Sequence, residues 1–372
     1  MRILFFDDRI PYLLKGENNV IGGATIRLYA LAKGLTSLGH SVAFLTWNGA
    51  NAFANKKEVF ELIESYDQSG GIKGIRFFAR KLSMLKSAKA YKPDVVLQIS
   101  AAINTGVLAY VAKWLKVPAI FLAASNADAD GEYKDYLSKS AQKLYEYGVR
   151  NADLIVCQNS YQNENFKCTF PKTKRVIIHN PYFYEGELPE ILSKSKRKYI
   201  AWVGNFSIFK NVPAAYEVIK ALPEVLFKLA GKETHKTDNE TKKALEKLKA
   251  LKNVEFVGHI ERDEILDFLG NAYALFNTSI FEGFSNTFLE AFAAGTPIVT
   301  REKIDPDDII AKNGLGIIVN ESNQIAAAIS KLIADENFDT MAQKCQTYLV
   351  NNHTSSVIAK QLEKSLLELV SP

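Results

Sequence analysis

Cysteine is scarce: Cys157, Cys168 and Cys345 are the only three in 372 residues, too few and too scattered for a disulfide framework or a zinc site. No uninterrupted apolar run approaches the roughly 18 residues that a membrane-spanning helix needs. At the N-terminus a short strand-like run, Arg2–Phe6, meets Asp7, Asp8 and Arg9 at once, where a secretory leader would carry a basic segment and then a longer apolar one. Excess charge is modest, +5 for the whole chain, and no recognisable nucleic-acid module gathers the cations. These absences argue against a disulfide scaffold, a membrane span, export and nucleic-acid binding, and they fit a reducing cytoplasm.

What is present is an ordinary globular composition, 47% hydrophobic and 23% charged, in a chain longer than one core usually serves, so two domains are expected. In the first half, short β-like runs at 3–6, 42–46, 95–99, 119–123, 154–157 and 176–178 alternate with helical patterns at 25–38, 75–90, 106–115 and 133–150. That rhythm predicts a parallel sheet covered by helices. A polar, proline-bearing stretch follows Asn180-Pro181 and ends in Ser193-Lys-Ser-Lys-Arg-Lys198, the composition of an interdomain connection. A second series then begins, with strands at 199–203, 225–230, 254–257, 274–276, 298–300 and 317–319 and helices at 212–222, 242–251, 264–269 and 287–294. The tail, 354–369, sets Val357, Ile358, Leu362, Leu366 and Leu367 on one helical face. The expected domains are 1–185, with 354–372 packing back on it, and 198–353: two Rossmann-like domains facing each other across a cleft.

One segment concentrates cations, with Lys73, Arg76, Arg80, Lys81, Lys86 and Lys89 interleaved with Phe77, Phe78, Leu82 and Leu85. A basic amphipathic helix of this kind lies on an anionic membrane surface. A helix that covers a sheet with its apolar stripe and turns a cationic back to water reads the same way.

The stretch 279–300, Ser-Ile-Phe-Glu-Gly-Phe-Ser-Asn-Thr-Phe-Leu-Glu-Ala-Phe-Ala-Ala-Gly-Thr-Pro-Ile-Val-Thr, holds two glutamates eight positions apart, Glu282 and Glu290. It reads as loop, helix, stop and strand, with Phe288, Leu289, Phe292 and Ala293 at helical spacing before Gly295 and Pro297. A loop leaving a parallel strand and running into a helix N-terminus is where α/β proteins hold phosphorylated ligands, because free backbone N–H groups and the helix dipole point there. An acid at each end suits sugar hydroxyls. Thr287 and Glu290 also have the spacing of a capping box, which would make Glu290 purely structural. Glu282, between Phe281 and a Gly-Phe pair, has a solvated surface acid as its competing reading.

A second loop, Trp202-Val-Gly-Asn-Phe-Ser-Ile-Phe-Lys-Asn211, leaves the first strand of the second domain through Gly204 and Asn205 and brings Lys210 to the start of the next helix. A cation is unfavourable at a helix N-terminus unless an anion is present. In the first domain, Gly22 and Gly23 allow close backbone approach at a helix start; they are not a G-x-G-x-x-G and give no support to dinucleotide binding. His40, following Gly39 at a helix end, reads as part of a C-cap.

Taken together, the whole chain resembles the GT-B fold retaining glycosyltransferases of family 4, which move a sugar from an activated donor, usually a nucleotide diphosphate sugar. The marks are the E-x7-E element before Leu-Glu-Ala-Phe-Ala-Ala-Gly-Thr-Pro-Ile-Val, the Gly204-to-Lys210 loop, the Gly22-Gly23 loop, and the runs 152–160, 176–181 and 253–260. The resemblance implies that Glu282 holds the donor sugar and Glu290 the nucleotide ribose. Gly283, Phe284, Ser285, Asn286 and Thr287 would offer backbone amides to sugar and diphosphate, with Lys210 as the cation at the leaving group. Gly258, His259 and Ile260 would meet the nucleobase through backbone groups. Two positions depart from the family pattern. Asn205 stands where an arginine is usual, and Ala124, Ser125 and Asn126 occupy a place where many members carry a histidine. Ser125 and Asn126, with Asp128 and Asp130, become candidates for sugar contacts from the first domain. A metal site at Asp128-Ala-Asp130 would need several converging oxygens, and the family resembled needs no metal ion and no cofactor besides its donor substrate.

The expected activity is retaining, metal-independent transfer from a nucleotide-sugar donor to a saccharide or lipid-linked saccharide acceptor, in polysaccharide, lipopolysaccharide or glycolipid assembly. The expected place is the cytoplasm, with peripheral inner-membrane contact through 73–89 and no nucleic-acid partner. A non-catalytic nucleotide-sugar binding protein, or an epimerase or phosphorylase on the same architecture, is the alternative.

Overall fold

The computed structural model describes residues 1–16, 22–53, 59–68, 75–234 and 237–370, without the side chains of 75–77. Chain contacts divide it into two compact units, Met1–Phe183 with Thr354–Pro372, and Tyr184–His353.

Unit 1 runs β1 (Arg2–Phe6), α1 (Ile10–Lys15), α2 (Gly23–Ser37), β2 (Ser41–Trp47), β3 (Glu61–Tyr66), α3 (Ile75–Tyr91), β4 (Val95–Ile99), α4 (Ile103–Leu115) and β5 (Ala119–Leu122). It continues through α5 (Ala127–Asp130), α6 (Tyr133–Tyr136), α7 (Lys139–Arg150), β6 (Leu154–Cys157), α8 (Ser160–Thr169) and β7 (Arg175–Ile177). All seven strands are parallel, in the order β3-β2-β1-β4-β5-β6-β7. Short, continuously apolar strands such as Val95–Ile99 and Ala119–Leu122 are buried on both faces, as a sheet with helices on either side requires. Gly106 and Gly148 let α4 and α7 touch backbone to backbone: a Cβ on either would come within 2.5 Å of a main-chain atom of the partner helix.

Unit 2 runs β8 (Tyr199–Val203), α9 (Val212–Lys220), β9 (Phe227–Ala230), α10 (Asn239–Lys249), β10 (Val254–Gly258), α11 (Ile265–Gly270) and β11 (Ala272–Phe276). It then adds α12 (Asn286–Ala293), β12 (Ile298–Arg301), α13 (Ile309–Asn313), β13 (Gly316–Val319), α14 (Ile325–Ala334) and α15 (Phe338–Asn352). Its six parallel strands are ordered β10-β9-β8-β11-β12-β13. The final helix, α16 (Ser355–Val370), returns to unit 1, where Ile358, Ala359, Leu362 and Leu366 join the core and the helix packs on α2.

Both sheets are doubly wound, and the order of strands reverses once in each, between β1 and β4 and between β8 and β11. Ligands of open α/β sheets bind beyond the carboxyl ends of the strands at such reversals.

Several elements differ from the sequence reading. β3, α8, α14 and α15 were not expected. The helix read over 133–150 is two: α6 ends at Tyr136, and Ser138 caps α7 by accepting from Ala141 N at 3.4 Å. The run 193–198 is not a solvated connector at Arg197, whose guanidinium is buried in unit 2. It donates to Leu192 O, Ala272 O, Thr296 Oγ1 and Gly295 O at 2.7–3.1 Å and stacks on Phe338.

Candidate functional site

The loops after β8 and β11, the strands at the reversal of the second sheet, carry Lys210 and Glu282. Lys210 ends a single 3-10 turn, Ile208–Lys210, and its ammonium donates to Glu282 Oε1. Ser279 Oγ donates to the same oxygen at 2.8 Å. The pair is mostly sheltered, Lys210 being 23% and Glu282 16% exposed, so the attraction is less screened than on an open surface.

Four hydrogen bonds fix this arrangement. Thr278 Oγ1 donates to Lys210 O at 2.8 Å and accepts from Trp202 Nε1 at 3.2 Å. Ile280 N donates to Phe209 O at 2.8 Å. The Arg301 guanidinium, at the end of β12, donates to Ser279 O. Each joins neighbouring loops over the strand ends, so the ion pair rests on the sheet.

Glycines clear the space. The Lys210 alkyl chain lies over Gly204, where a Cβ would come 3.1–3.4 Å from its Cε, Cδ and Cγ. At Gly231, just after β9, a Cβ would stand 2.0 Å from Gly204 O. Gly231 N donates to Gly258 O at 2.7 Å, and Gly258 itself has φ +75°, a left-handed value that favours glycine. Asn205 is exposed, as is His259, whose Nε2 lies 3.7 Å from Glu261 Oε1; Ile260 is half-buried.

Beyond Glu282 the chain passes Gly283 and the buried Phe284, whose ring packs against His353, and enters α12. Ser285 is the N-cap, with no side-chain cap hydrogen bond. Thr287 therefore sits inside the first turn, where its Oγ1 pairs with Ser285 Oγ at 2.7 Å. A Thr287–Glu290 capping box does not form, because the true N-cap is Ser285 and the third helical position is Phe288, two residues before Glu290. Asn286 is the first residue of the helix. Glu290 is half-buried, and burial, only partly offset by Arg262, pushes its carboxyl up to about 7. A ligand that stabilised the Glu290 charge would lower that value.

In unit 1, Gly22 is the N-cap of α2 and Gly23 its first residue; residues 17–21, including Asn19, lie outside those described. Ser125 and Asn126 follow β5 and are half-buried. Asn126 has a defined orientation. Gln158 N donates to Gln162 Oε1 at 2.7 Å, so Gln162 turns its Nε2 to Asn126 Oδ1, 3.2 Å away. Asn159 Oδ1 likewise accepts from Gln162 N, leaving Asn159 Nδ2 to donate to the same Asn126 oxygen. Backbone N–H groups thus set the chain of amides that ends on the Asn126 oxygen.

Asp128 is not available to a sugar. Its carboxylate is buried, accepting from Ala124 N and Ser125 N on one oxygen and Ala101 N on the other, at 2.7–3.2 Å. Asp130 accepts from Glu132 N and Tyr161 OH. His40 binds Glu363 Oε1 of α16 at 2.7 Å through Nε2. Among the described residues no three His, Cys, Asp or Glu side chains gather as a metal site would require, and all three cysteines are free.

Sequence reasoning missed Arg301, Thr278 and Asp7. Asp7 follows the first strand of unit 1, accepts from Arg9 N and Ile10 N at 2.7 Å, and is pushed by burial up to about 6. A hydroxyl pair after a buried strand, as at Thr278-Ser279, is the one signal that would have drawn attention to that loop.

Comparison with known proteins agrees with the geometry. Residues 185–349 match the family model Glycosyl transferases group 1, and residues 21–182 match Glycosyltransferase Family 4. The chain is 23% identical to an alpha-monoglucosyldiacylglycerol synthase of Streptococcus pneumoniae, over 98% of this chain and 88% of that protein. Its fold is that of a sucrose-phosphate synthase from Thermosynechococcus elongatus (TM-score 0.73, 16% identity, 99% of each chain). It is equally that of Anabaena HepE in complex with UDP and glucose (TM-score 0.73, 17% identity, 99% of this chain and 100% of that one). With both halves matched and the same architecture throughout, the chain belongs to the GT-B glycosyltransferases of family 4, enzymes that move a sugar from a nucleotide-activated donor to an acceptor.

Proposed function

We propose that the chain is a retaining glycosyltransferase whose second unit binds a nucleotide diphosphate sugar and whose first unit meets a hydroxyl acceptor, a saccharide or a lipid-linked saccharide. The observation that carries this reading is the Lys210–Glu282–Ser279 cluster at the strand reversal of the second sheet. The Glu282 carboxylate accepts from hydroxyls of the donor sugar. Lys210 faces the diphosphate, which gains negative charge as the glycosidic bond breaks, and α12, which lacks a side-chain cap, turns its N-terminus to the same anion. Glu290 takes the ribose hydroxyls.

In this reading the bond from the anomeric carbon to the phosphate oxygen breaks, and the acceptor oxygen bonds to that carbon on the same face. The departing phosphate oxygen takes the acceptor proton. No side chain attacks the sugar, and no metal ion is assigned a role, since Lys210 and backbone N–H groups meet the leaving charge. Preorganised donors of this kind are worth roughly 2.7–4 kcal/mol each. Asn126 and Ser125, with the Gly22-Gly23 helix start, contribute from unit 1. Peripheral contact with the cytoplasmic membrane face through 73–89 belongs to the same reading; Lys73 and the side chains of Arg76 and Phe77 lie outside the described residues.

The test is product analysis. Purified protein is incubated with a panel of nucleotide sugars and simple glycoside acceptors, with and without a chelator, and the anomeric configuration of the product is read by NMR. Inverted product refutes retention, chelator sensitivity refutes the metal-independent step, and release of an altered sugar without an acceptor points to an epimerase.

A further inference from the structure

We propose that Arg27 is a positioning residue for the acceptor: with Asp128 it clamps the turn that carries Ser125 and Asn126, and it ties that turn to the segment after β7. The proposal rests on the reading that unit 1 meets the acceptor and deepens it, by naming a side chain that sets acceptor use from inside the core.

Arginine is almost never fully buried unless its charge is compensated, because taking a cation out of water is costly. Arg27, in the second turn of α2, is 2% exposed. Burial lowers its guanidinium to about 10, which leaves the cation in place at neutral pH. One arm donates to Ala123 O and the other to Ile178 O, the latter at 3.1 Å. Those residues stand just past β5 and β7, the two strands on either side of β6. Their own N–H groups still donate to Val156 O and Cys157 O of β6, and at their carbonyls Arg27 takes over from the sheet. The planar fork of an arginine reaches two acceptors from different segments, which a lysine ammonium on its flexible stem does not hold together.

The same turn is gripped from its N–H side. Asp128 accepts from Ala124 N and Ser125 N at 2.7 and 3.2 Å, so the two amides that follow Ala123 O end on a buried carboxylate. A buried cation on the carbonyl and a buried anion on the next two N–H groups hold 123–125 at both kinds of backbone atom, and the two charges attract each other. Side-chain amides extend the clamp to both segments. Gln158 Nε2 donates to Asn180 Oδ1 at 2.8 Å, and His179 Nδ1 lies 2.8 Å from Gln158 O. Gln162 Nε2 joins Gln158 Oε1 to Asn126 Oδ1, at 3.0 and 3.2 Å. Asn126 and Asn180, from opposite sides of β6, thus belong to one amide layer whose register Arg27 fixes.

Stability alone does not require this arrangement, since buried charged groups replaced by well-packed apolar side chains often leave a protein as stable or more so. Position does require it. A misplacement of about 1 Å in a group that orients a reactant costs on the order of 100-fold in rate. Ser125 and Asn126 come two and three residues after Ala123, so a slackened turn moves them first. Lys210 and Glu282 rest on the other sheet, so donor binding is expected to be indifferent to Arg27.

Arg27→Lys keeps the charge and gives up the fork, and Arg27→Met gives up both; Arg27→Lys carries the test if Arg27→Met does not fold. Each is compared with the unsubstituted chain, using UDP-glucose as donor and octyl β-glucoside as acceptor. The acceptor kcat/KM should fall by about tenfold or more, while the dissociation constant of UDP-glucose and its acceptor-free hydrolysis change by less than about twofold. Asp128→Asn, which loosens the turn from its amide side, should show the same split. An unchanged acceptor kcat/KM in Arg27→Lys overturns the proposal. So does an equal loss of transfer and hydrolysis, which would mean a purely structural residue. Hydrogen exchange reads the clamp without turnover: the amides of 123–125 and 178 should exchange at least about tenfold faster in Arg27→Lys, with the rest of unit 1 unchanged, and unaltered exchange there overturns the proposal as well. Absence of both transfer and hydrolysis from the unsubstituted chain would count against the transferase reading, and hydrogen exchange would still decide this one.

Discussion

Raising the pH from about 5 to about 8 should tighten nucleotide-sugar binding, and Glu290→Gln should remove that dependence. In the ligand-free chain the Glu290 carboxyl titrates at about 7 against an ordinary 4.5, because burial disfavours its charge and Arg262 only partly compensates. Ribose hydroxyls donate hydrogen bonds, so the complex favours the ionised carboxylate and binding expels the proton. If the ligand restored the ordinary value, the linkage would reach about 3 kcal/mol, at about 1.4 kcal/mol per pH unit. The dissociation constant should therefore fall by up to about tenfold per pH unit below about 7 and level off above it.

Folding stability runs the other way. The folded value lies above the unfolded one, so the contribution of Glu290 is fully present below about 4.5 and is lost as pH rises through about 7. Glu290→Gln should be near neutral at low pH and stabilising above 7. Titration calorimetry with UDP-glucose suits the measurement, as its esterified diphosphate does not titrate in this range; if another nucleotide sugar gives a larger thermal shift, that one is used. Two buffers of different ionisation enthalpy at about pH 6 should reveal release of nearly one proton. Asp7 titrates near 6 in the other unit, so the difference between the two chains, and not the raw profile, isolates Glu290. A flat profile in the unsubstituted chain, or an unchanged slope in Glu290→Gln, would refute the reasoning.

Glu282→Ala and Lys210→Ala should each cost roughly 100-fold or more in kcat while the chain still folds; near-normal turnover by either variant contradicts its role. Gly231→Ala should destabilise unit 2 by about 1–3 kcal/mol, because its Cβ would overlap Gly204 O, and chemical denaturation reads this directly. Asp128→Asn should cost about 1–3 kcal/mol by placing an NH2 against a backbone N–H and should leave donor KM unchanged; a large KM effect at normal stability would restore Asp128 as a ligand residue. Arg197→Met should cost about 3 kcal/mol or more, since four acceptors lose their buried donor.

Much of the architecture could be read before any coordinates. Short apolar strands alternating with helical periods leave little choice besides parallel sheets under helices, and the strands around 199–203, 272–276 and 298–301 fall where the pattern put them. The misses have local causes. β3, Glu61–Tyr66, carries two glutamates that hide its alternation, and α8, Ser160–Thr169, is almost wholly polar. The split between α6 and α7 turns on one serine that caps more favourably than it continues a helix. Arg197 looked like part of a solvated basic run because nothing in its neighbours reports the acceptors gathered around it by β11 and the loop before β12.

Residue types and spacing alone determined that a glutamate pair flanks a helix start and that a lysine follows a glycine at the end of the first strand of the second series. Only the tertiary structure decided that Lys210 and Glu282 meet, 72 positions apart in the chain, because the strands that carry them become neighbours when the sheet reverses its order. Burial, likewise, is a property of the packed state. It raises Glu290 to neutrality and commits Asp128 to backbone amides, and neither follows from sequence separation, since each depends on which atoms the fold brings within a few ångströms.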